Sequence, residues 1–168
     1  MAPYTMKINI QNGLVGEGEV AYIGSARLKG DGYVCSSGKS IAAGSTDEGA
    51  SLKKGGGTEG LFIATFFSIP GCPRNLLVWS SMSAASSGKV IVRIAFVDAD
   101  KSVTSLPDDC YYRPDTLGLT DGKAQTAATD ASNGGFIAKL EEYDGKYPDS
   151  TCTVSVSSFI TYNPPRVY

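Results

Sequence analysis

Leu61-Phe62-Ile63-Ala64-Thr65-Phe66-Phe67 is followed by Ile69-Pro70-Gly71-Cys72-Pro73-Arg74-Asn75 and then by Leu76-Leu77-Val78-Trp79. The first run is β-branched and aromatic and carries no charge, the composition of a strand buried on both faces. Pro70 and Pro73 each remove a backbone donor and fix φ, so the ladder stops and the chain turns there. The third run begins a second buried strand. Two interior strands hinged at a proline corner set the reading of everything around them.

Outward from this stretch the chain keeps the same grammar. Met6, Ile8 and Ile10 alternate with Lys7, Asn9 and Gln11, which predicts a half-buried strand ending at the turn signal Asn12-Gly13. From Glu19 to Leu28 the pattern slips phase near Gly24, the signature of a bulge. A turn over Lys29-Gly30-Asp31-Gly32 leads into a short strand at Tyr33-Val34-Cys35. Ser36 to Gly57 is rich in Ser, Gly and Ala and reads as a long loop with at most one short strand. Lys89 to Val97 is a strongly apolar strand whose Lys89 and Arg93 share a face with Ile91, which places it near an edge or a groove.

Ser105 to Ala131 is the longest irregular region, with a short helix predicted around Lys123 to Ala128. Segments this long are often functional in compact domains. It carries the acidic and aromatic cluster Asp108-Asp109-Cys110-Tyr111-Tyr112-Arg113. Gly134 to Glu142 returns to strand. Cys152, Val154 and Val156 then alternate with Thr153, Ser155 and Ser157. The 168 residues, with 20 Gly, 8 Pro and only 19% charged residues, describe one all-β domain over 1–168. Seven to nine strands with frequent turns predict an antiparallel β-sandwich, with a closed β-barrel as the alternative.

The same composition limits the chemistry. There is no His, so neither a Ser-His-Asp nor a Cys-His mechanism can be assembled. An enzyme would have to work with carboxylates such as Asp108, Asp109, Asp115 and Asp121, or shape its substrate in a barrel pocket; no catalytic residue, cofactor fingerprint or metal set is assigned. A net charge of -2 without a basic run excludes nucleic acid as the expected partner. Cys35, Cys72, Cys110 and Cys152 are even in number and widely spaced, which predicts two disulfides and hence a secreted or extracellular protein, with four reduced thiols, some of them core packing, as the alternative. Met1-Ala2-Pro3-Tyr4 has no signal-peptide pattern, which keeps non-classical export and a cytoplasmic location open.

Recognition is the chemistry the residues support. Aromatic rings with polar tips suit sugars, choline headgroups and protein partners, and Trp79, Tyr111 and Tyr112 stand nearest loops or strand ends, with Arg113 beside them. Phe67-Ser68-Ile69-Pro70 resembles the Phe-Ser-Val-Pro segment of the sea-anemone actinoporins, and Tyr111-Tyr112 resembles the tyrosine pair downstream of it. In that family these residues help form a phosphocholine headgroup pocket, which implies the same role here for Ser68, Pro70, Tyr111 and Tyr112. Ile8-Asn9-Ile10-Gln11-Asn12 and Gly57-Thr58-Glu59-Gly60-Leu61-Phe62 are similar to pieces of the fungal aegerolysins, β-sandwich proteins that bind membrane lipids. The aromatic-rich segment of the actinoporins is reduced here to Trp79, and no amphipathic N-terminal helix precedes the first strand, so pore formation is not implied. The expected function is a non-catalytic module that binds a lipid headgroup or glycan, with a membrane surface among its partners. The alternatives are an effector or toxin-like protein that binds another protein, and a small His-independent enzyme.

Overall fold

A computed structural model of the chain describes residues 4–15, 18–29, 32–34, 38–54, 61–82, 90–98, 127–130, 135–144 and 149–158. Eleven strands lie among them: β1 (Tyr4–Gly13), β2 (Glu19–Lys29), β3 (Gly32–Val34), β4 (Ser40–Ala42), β5 (Thr46–Lys54), β6 (Leu61–Ser68), β7 (Arg74–Met82), β8 (Val90–Asp98), β9 (Ala127–Asp130), β10 (Phe136–Asp144) and β11 (Asp149–Ser158). They form a six-stranded sheet in the order β3-β5-β1-β11-β10-β9 and a five-stranded sheet in the order β4-β2-β6-β7-β8. The two sheets pack face to face as a sandwich, and no barrel closes.

The alternation read in β1 and β11 places both strands at the centre of the six-stranded sheet. Met6, Ile8, Ile10, Cys152, Val154 and Val156 are buried against the inner face of the other sheet, while Lys7, Gln11 and Thr151 are exposed. These two strands run parallel, with Ile8 opposite Cys152 and Ile10 opposite Val154. This departs from the purely antiparallel sheet expected. A parallel neighbour needs a long connection, and β1 and β11 are separated by nearly the whole chain. Every other pair is antiparallel.

Two further expectations are corrected. The Ser- and Gly-rich segment read as a loop contains β4 and the nine-residue β5, which pairs with β1 along its length except at Gly49. Its small residues are there for space. Gly49 is buried in a bulge where a Cβ would fall 2.7 Å from Phe67 Cε1 and 2.9 Å from Ile10 Cγ1, so the Phe67 ring occupies the room that a side chain would need. The helix expected around Lys123 to Ala128 is not continued in the described residues, because Ala127 and Ala128 already belong to β9, paired with Lys139 and Ala138. There the edge of β10 supplies ladder partners that outweigh the helix preference of alanine.

The phase slip near Gly24 is a bulge: Tyr22 faces Phe67 and Gly24 faces Phe66, leaving Ile23 as the extra residue, 51% exposed. The bulge turns Tyr22 and Ser25 to the same inner face. Tyr22 Oη donates to Ser25 Oγ and Ser25 Oγ to Thr65 Oγ1, each over 3.1 Å. The Tyr22 ring also meets Phe67 edge-on at 6.0 Å.

The five-stranded sheet is apolar on both sides, as the uncharged β6 run predicted. Ile63 and Phe67 of β6 join the main core with Leu76, Val78, Ile94 and Phe96. Ala64, Phe66, Leu77, Trp79, Ala95 and Val97 form a second buried cluster on the outer face.

One polar residue is central to the core's end. Asn12, 1% exposed, donates from Nδ2 to Ile41 O over 2.8 Å and to Gly18 O over 3.2 Å, and accepts at Oδ1 from Leu14 N over 3.1 Å. Its backbone bonds Ser45 O and Gly44 N. Asn12→Asp turns the amide donor into an acceptor facing two carbonyls, and we expect a loss of about 2 to 4 kcal/mol in urea unfolding. Gly49→Ala should cost about 1 to 3 kcal/mol from overpacking, and less when introduced beside Phe67→Leu; equal costs in the two backgrounds would show that the ring is not what excludes the methyl.

Candidate binding site

The corner between β6 and β7 is a type II turn. Cys72 N donates to Ile69 O over 3.0 Å, Pro70 holds the first central position, and Gly71 takes the second at φ 78°. Ile69 is buried in the main core and anchors the turn, whereas Pro70, Gly71 and Pro73 are exposed. Pro70 lies against the loop that enters β2. A Cβ on Gly18, whose φ is +152°, would come within 2.7 Å of Pro70 Cγ, so only glycine lets the two segments meet. Gly18 is in turn tied to Asn12, and Gly71 stands over Phe136 at the start of β10. Arg74 closes the corner: Nη2 donates to Phe96 O, and Nε lies 3.8 Å from Asp98 Oδ1 in a partly solvated pair.

The described loop residues at this end of the sandwich are Leu14, Val15, Gly18, Ala43, Gly44, Ser45, Ile69 to Pro73 and Gly135, and none is charged. Val15 is 68% exposed. At the opposite end the strand termini bring Lys53, Lys54, Asp144 and Asp149. The strand termini at the corner's own end bring Glu19, Arg74 and Asp98, so charge frames both ends, and this one is set apart by the rigid proline corner and its uncharged described loop residues.

The candidates read from the sequence divide by position. Ser68 and Pro70 share the corner, with Ser68 half-buried on the outer face of the five-stranded sheet and Pro70 on the turn itself. Trp79 points to the same outer face, opposite Ala64 on β6 and Arg93 on β8. Four residues of ladder separate it from the level of Ser68, roughly 14 Å. Its ring is only 2% exposed, and Arg93 Cζ sits 4.6 Å from the ring centroid. Arg93 is itself 4% exposed, a cation laid over an aromatic face beside an apolar cluster. The sequence flagged Arg93 as marking an edge, and β8 does end the order of its sheet. The cross-strand register with Trp79 was not legible. Tyr111, Tyr112 and Arg113 lie outside the described residues, as do Asp108, Asp109, Asp115 and Asp121.

Sequence reasoning missed Asn12, Val15 and Gly18. The pair Asn12-Gly13 read as a turn signal, and nothing local distinguishes a solvated turn from a buried hub.

Comparison with known proteins bears on the fold. No family model matches the chain, and no curated protein sequence matches it. Solved structures do: a lectin from Xerocomus chrysenteron is similar at a TM-score of 0.58 over 93% of this chain and 100% of that one, with 13% identity. A methionine-substituted form of the same lectin gives 0.60 over 93% and 99%. The lipid-binding protein Nakanori is similar at 0.54 over 94% of this chain and 72% of that one, again with 13% identity.

The chain has the fold of these sandwiches. The β-sandwich architecture implied by the short-motif resemblances therefore holds.

The cysteine expectation is corrected within this sandwich. Cys152 is a thiol buried in the six-stranded sheet among Ile8 and Val154, and Cys72 is a half-buried thiol at the corner, so the two-disulfide framework is not there. Cys35 and Cys110 lie outside the described residues. Wide spacing signalled pairing, but β-strand alternation had already turned Cys152 into the core, where it packs as a small apolar side chain. Burial pushes its thiol up to about 12. The unfolded thiol ionises near its ordinary value of 9.0, so Cys152 contributes stability below that pH and loses it as pH rises toward 12. Iodoacetamide followed by peptide mass spectrometry should leave Cys152 unmodified in the folded protein at pH 8 and label it only after unfolding; labelling at the rate of a free thiol would refute its burial.

Proposed function

We propose that this protein is a non-catalytic binding module that recognises a lipid headgroup or a glycan with the proline-corner end of its sandwich. The observation that carries the reading is the Ile69–Cys72 turn, which presents Pro70 on a backbone held by Gly18, Asn12 and Phe136. A preorganised corner loses little freedom when a ligand docks, so contacts there convert efficiently into affinity. Ser68 supplies a hydroxyl beside it, and Tyr111, Tyr112 and Arg113 are the residues whose rings and cation suit a choline group, a phosphate or a pyranose face. Trp79 supports the five-stranded sheet through its stack with Arg93. Support from outside the chain comes from the fold it shares with a lectin and with a lipid-binding protein.

The exposed side chain of Val15 adds an apolar contact at the same end. On a bilayer it would enter the interfacial region, while on a soluble glycan it would stay in water. Saturable binding to phosphatidylcholine and sphingomyelin vesicles, or to a glycan array, is expected, with a loss of about tenfold or more in Tyr111→Ala/Tyr112→Ala. Undiminished binding by that double variant, with its fold intact by circular dichroism, would reject the tyrosines as contacts. Val15→Asp should weaken vesicle binding and leave glycan binding unchanged, so the pair of readouts separates the two ligand sources.

A further inference from the structure

The outer face of the six-stranded sheet is largely polar and ordered in rows. Its middle strand, β11, presents Thr151, Thr153, Ser155 and Ser157, and their neighbours are set by register. In the first row Thr151 lies between Lys7 of β1 and Asp144 of β10. Asn9, Thr153 and Glu142 make the second row, and Gln11, Ser155 and Lys139 the third. Gly13, Ser157 and Ile137 make the fourth. Lys7, Gln11, Lys139, Glu142 and Asp144 are exposed, and Ile137 is half-buried on an otherwise polar face. A bulge between Leu140 and Glu142 adds Glu141, whose Oε1 accepts from Ser155 Oγ over 2.7 Å.

The first row therefore has opposite charges on its β1 and β10 sides, the second and third an amide on the β1 side and a charge on the β10 side, and the fourth a glycine and an isoleucine. A two-fold axis in the plane of the face, running along β11, exchanges the two sides while keeping each row at its own level. It sets Lys7 against Asp144 of a second copy, the Asn9 amide against Glu142, the Gln11 amide against Lys139, and Ile137 over the bare backbone of Gly13. Each contact occurs twice, and the small hydroxyls of β11 meet their own copies on the axis. We infer that this face is the self-association surface of the protein, and that its partner is a second copy of the same chain. Isologous contact of this kind is the commonest closed arrangement, and sheets packed face to face keep their strands within about 30° of one another. Asp149 lies at the margin of the stripe, already bonded by Thr5 Oγ1, where sheet twist carries the two faces apart.

Twelve outward positions at a ladder spacing of about 4.8 by 6.8 Å cover roughly 400 Å² on each copy, half the standard interface. The dimer is thus weak, with a dissociation constant on the order of 100 μM, and sensitive to salt because its pairs are exposed. The axis runs along the strands, so both proline corners point the same way. Two weak sites directed at one plane bind it with avidity, which gives the association a use on a planar array without depending on what the corner recognises.

The test is sedimentation equilibrium of the full chain from about 10 μM to 1 mM, at about 50 mM and 500 mM salt. We expect a monomer–dimer equilibrium weakened several-fold by salt. Lys7→Asp and Asp144→Lys should each weaken it about tenfold, and the two together should restore it, because the charges are exchanged and not removed. Thr153→Arg, which meets its own copy on the axis, should abolish it. Unfolding midpoints of all variants within a few degrees of the parent keep the comparison on association. A monomer throughout, a charge-exchanged double variant as weak as either single, or a Thr153→Arg protein that still dimerises would each overturn the inference.

Discussion

Burying Asn12 commits one end of the sandwich to a single arrangement. A side-chain amide removed from water must have every hydrogen bond supplied by protein, and here the partners come from Leu14, Gly18 and Ile41, with Ser45 and Gly44 on its backbone. Those partners belong to the β1–β2 loop, to β4 and to the β4–β5 turn. The two sheets are therefore joined at this end by a polar contact as well as by packing. An apolar residue at the position would fill the space but leave the Ile41 and Gly18 carbonyls unsatisfied. The proline corner depends on the same residue at one remove, because Gly18, held by Asn12, is what Pro70 rests on.

The two faces of the five-stranded sheet solve different problems. The inner one packs large side chains against the other sheet and makes room for them with glycine, as Gly49 does for Phe67. On the outer face a charge, Arg93, sits over Trp79 beside an apolar cluster. A guanidinium is more tolerable there than an ammonium would be, being planar, weakly hydrated and able to stack on an indole. The tryptophan that looked from the sequence like a free recognition ring is thereby part of the sheet's own packing.

Periodicity made much of the fold legible. Alternation in β1 and β11, the uncharged run of β6, the turn demanded by Ile69-Pro70-Gly71-Cys72 and the phase slip at Gly24 are local signals, each tied to side-chain direction or to φ. Segments that take their state from a neighbour were not legible. β5 is a strand because β1 pairs with it, and β9 because β10 offers an edge, although their own residues favour a loop and a helix. Of the candidate site, the corner with Ser68 and Pro70 was readable from its prolines. The contributions of Asn12, Gly18 and Val15 were not, since a buried hub and an exposed turn share the dipeptide Asn12-Gly13.

By itself the sequence determined the class of the protein, its proline hinge and the chemistry closed to it: without histidine no imidazole base exists in any conformation. Tertiary structure alone decided which strands are neighbours, that the first and last strands run parallel at the centre of one sheet, that Cys152 is a core thiol, and that Trp79 lies under Arg93. The reason is one of range. Side-chain alternation and proline geometry act over a few residues and are written into them, whereas pairing and burial are set by residues far along the chain.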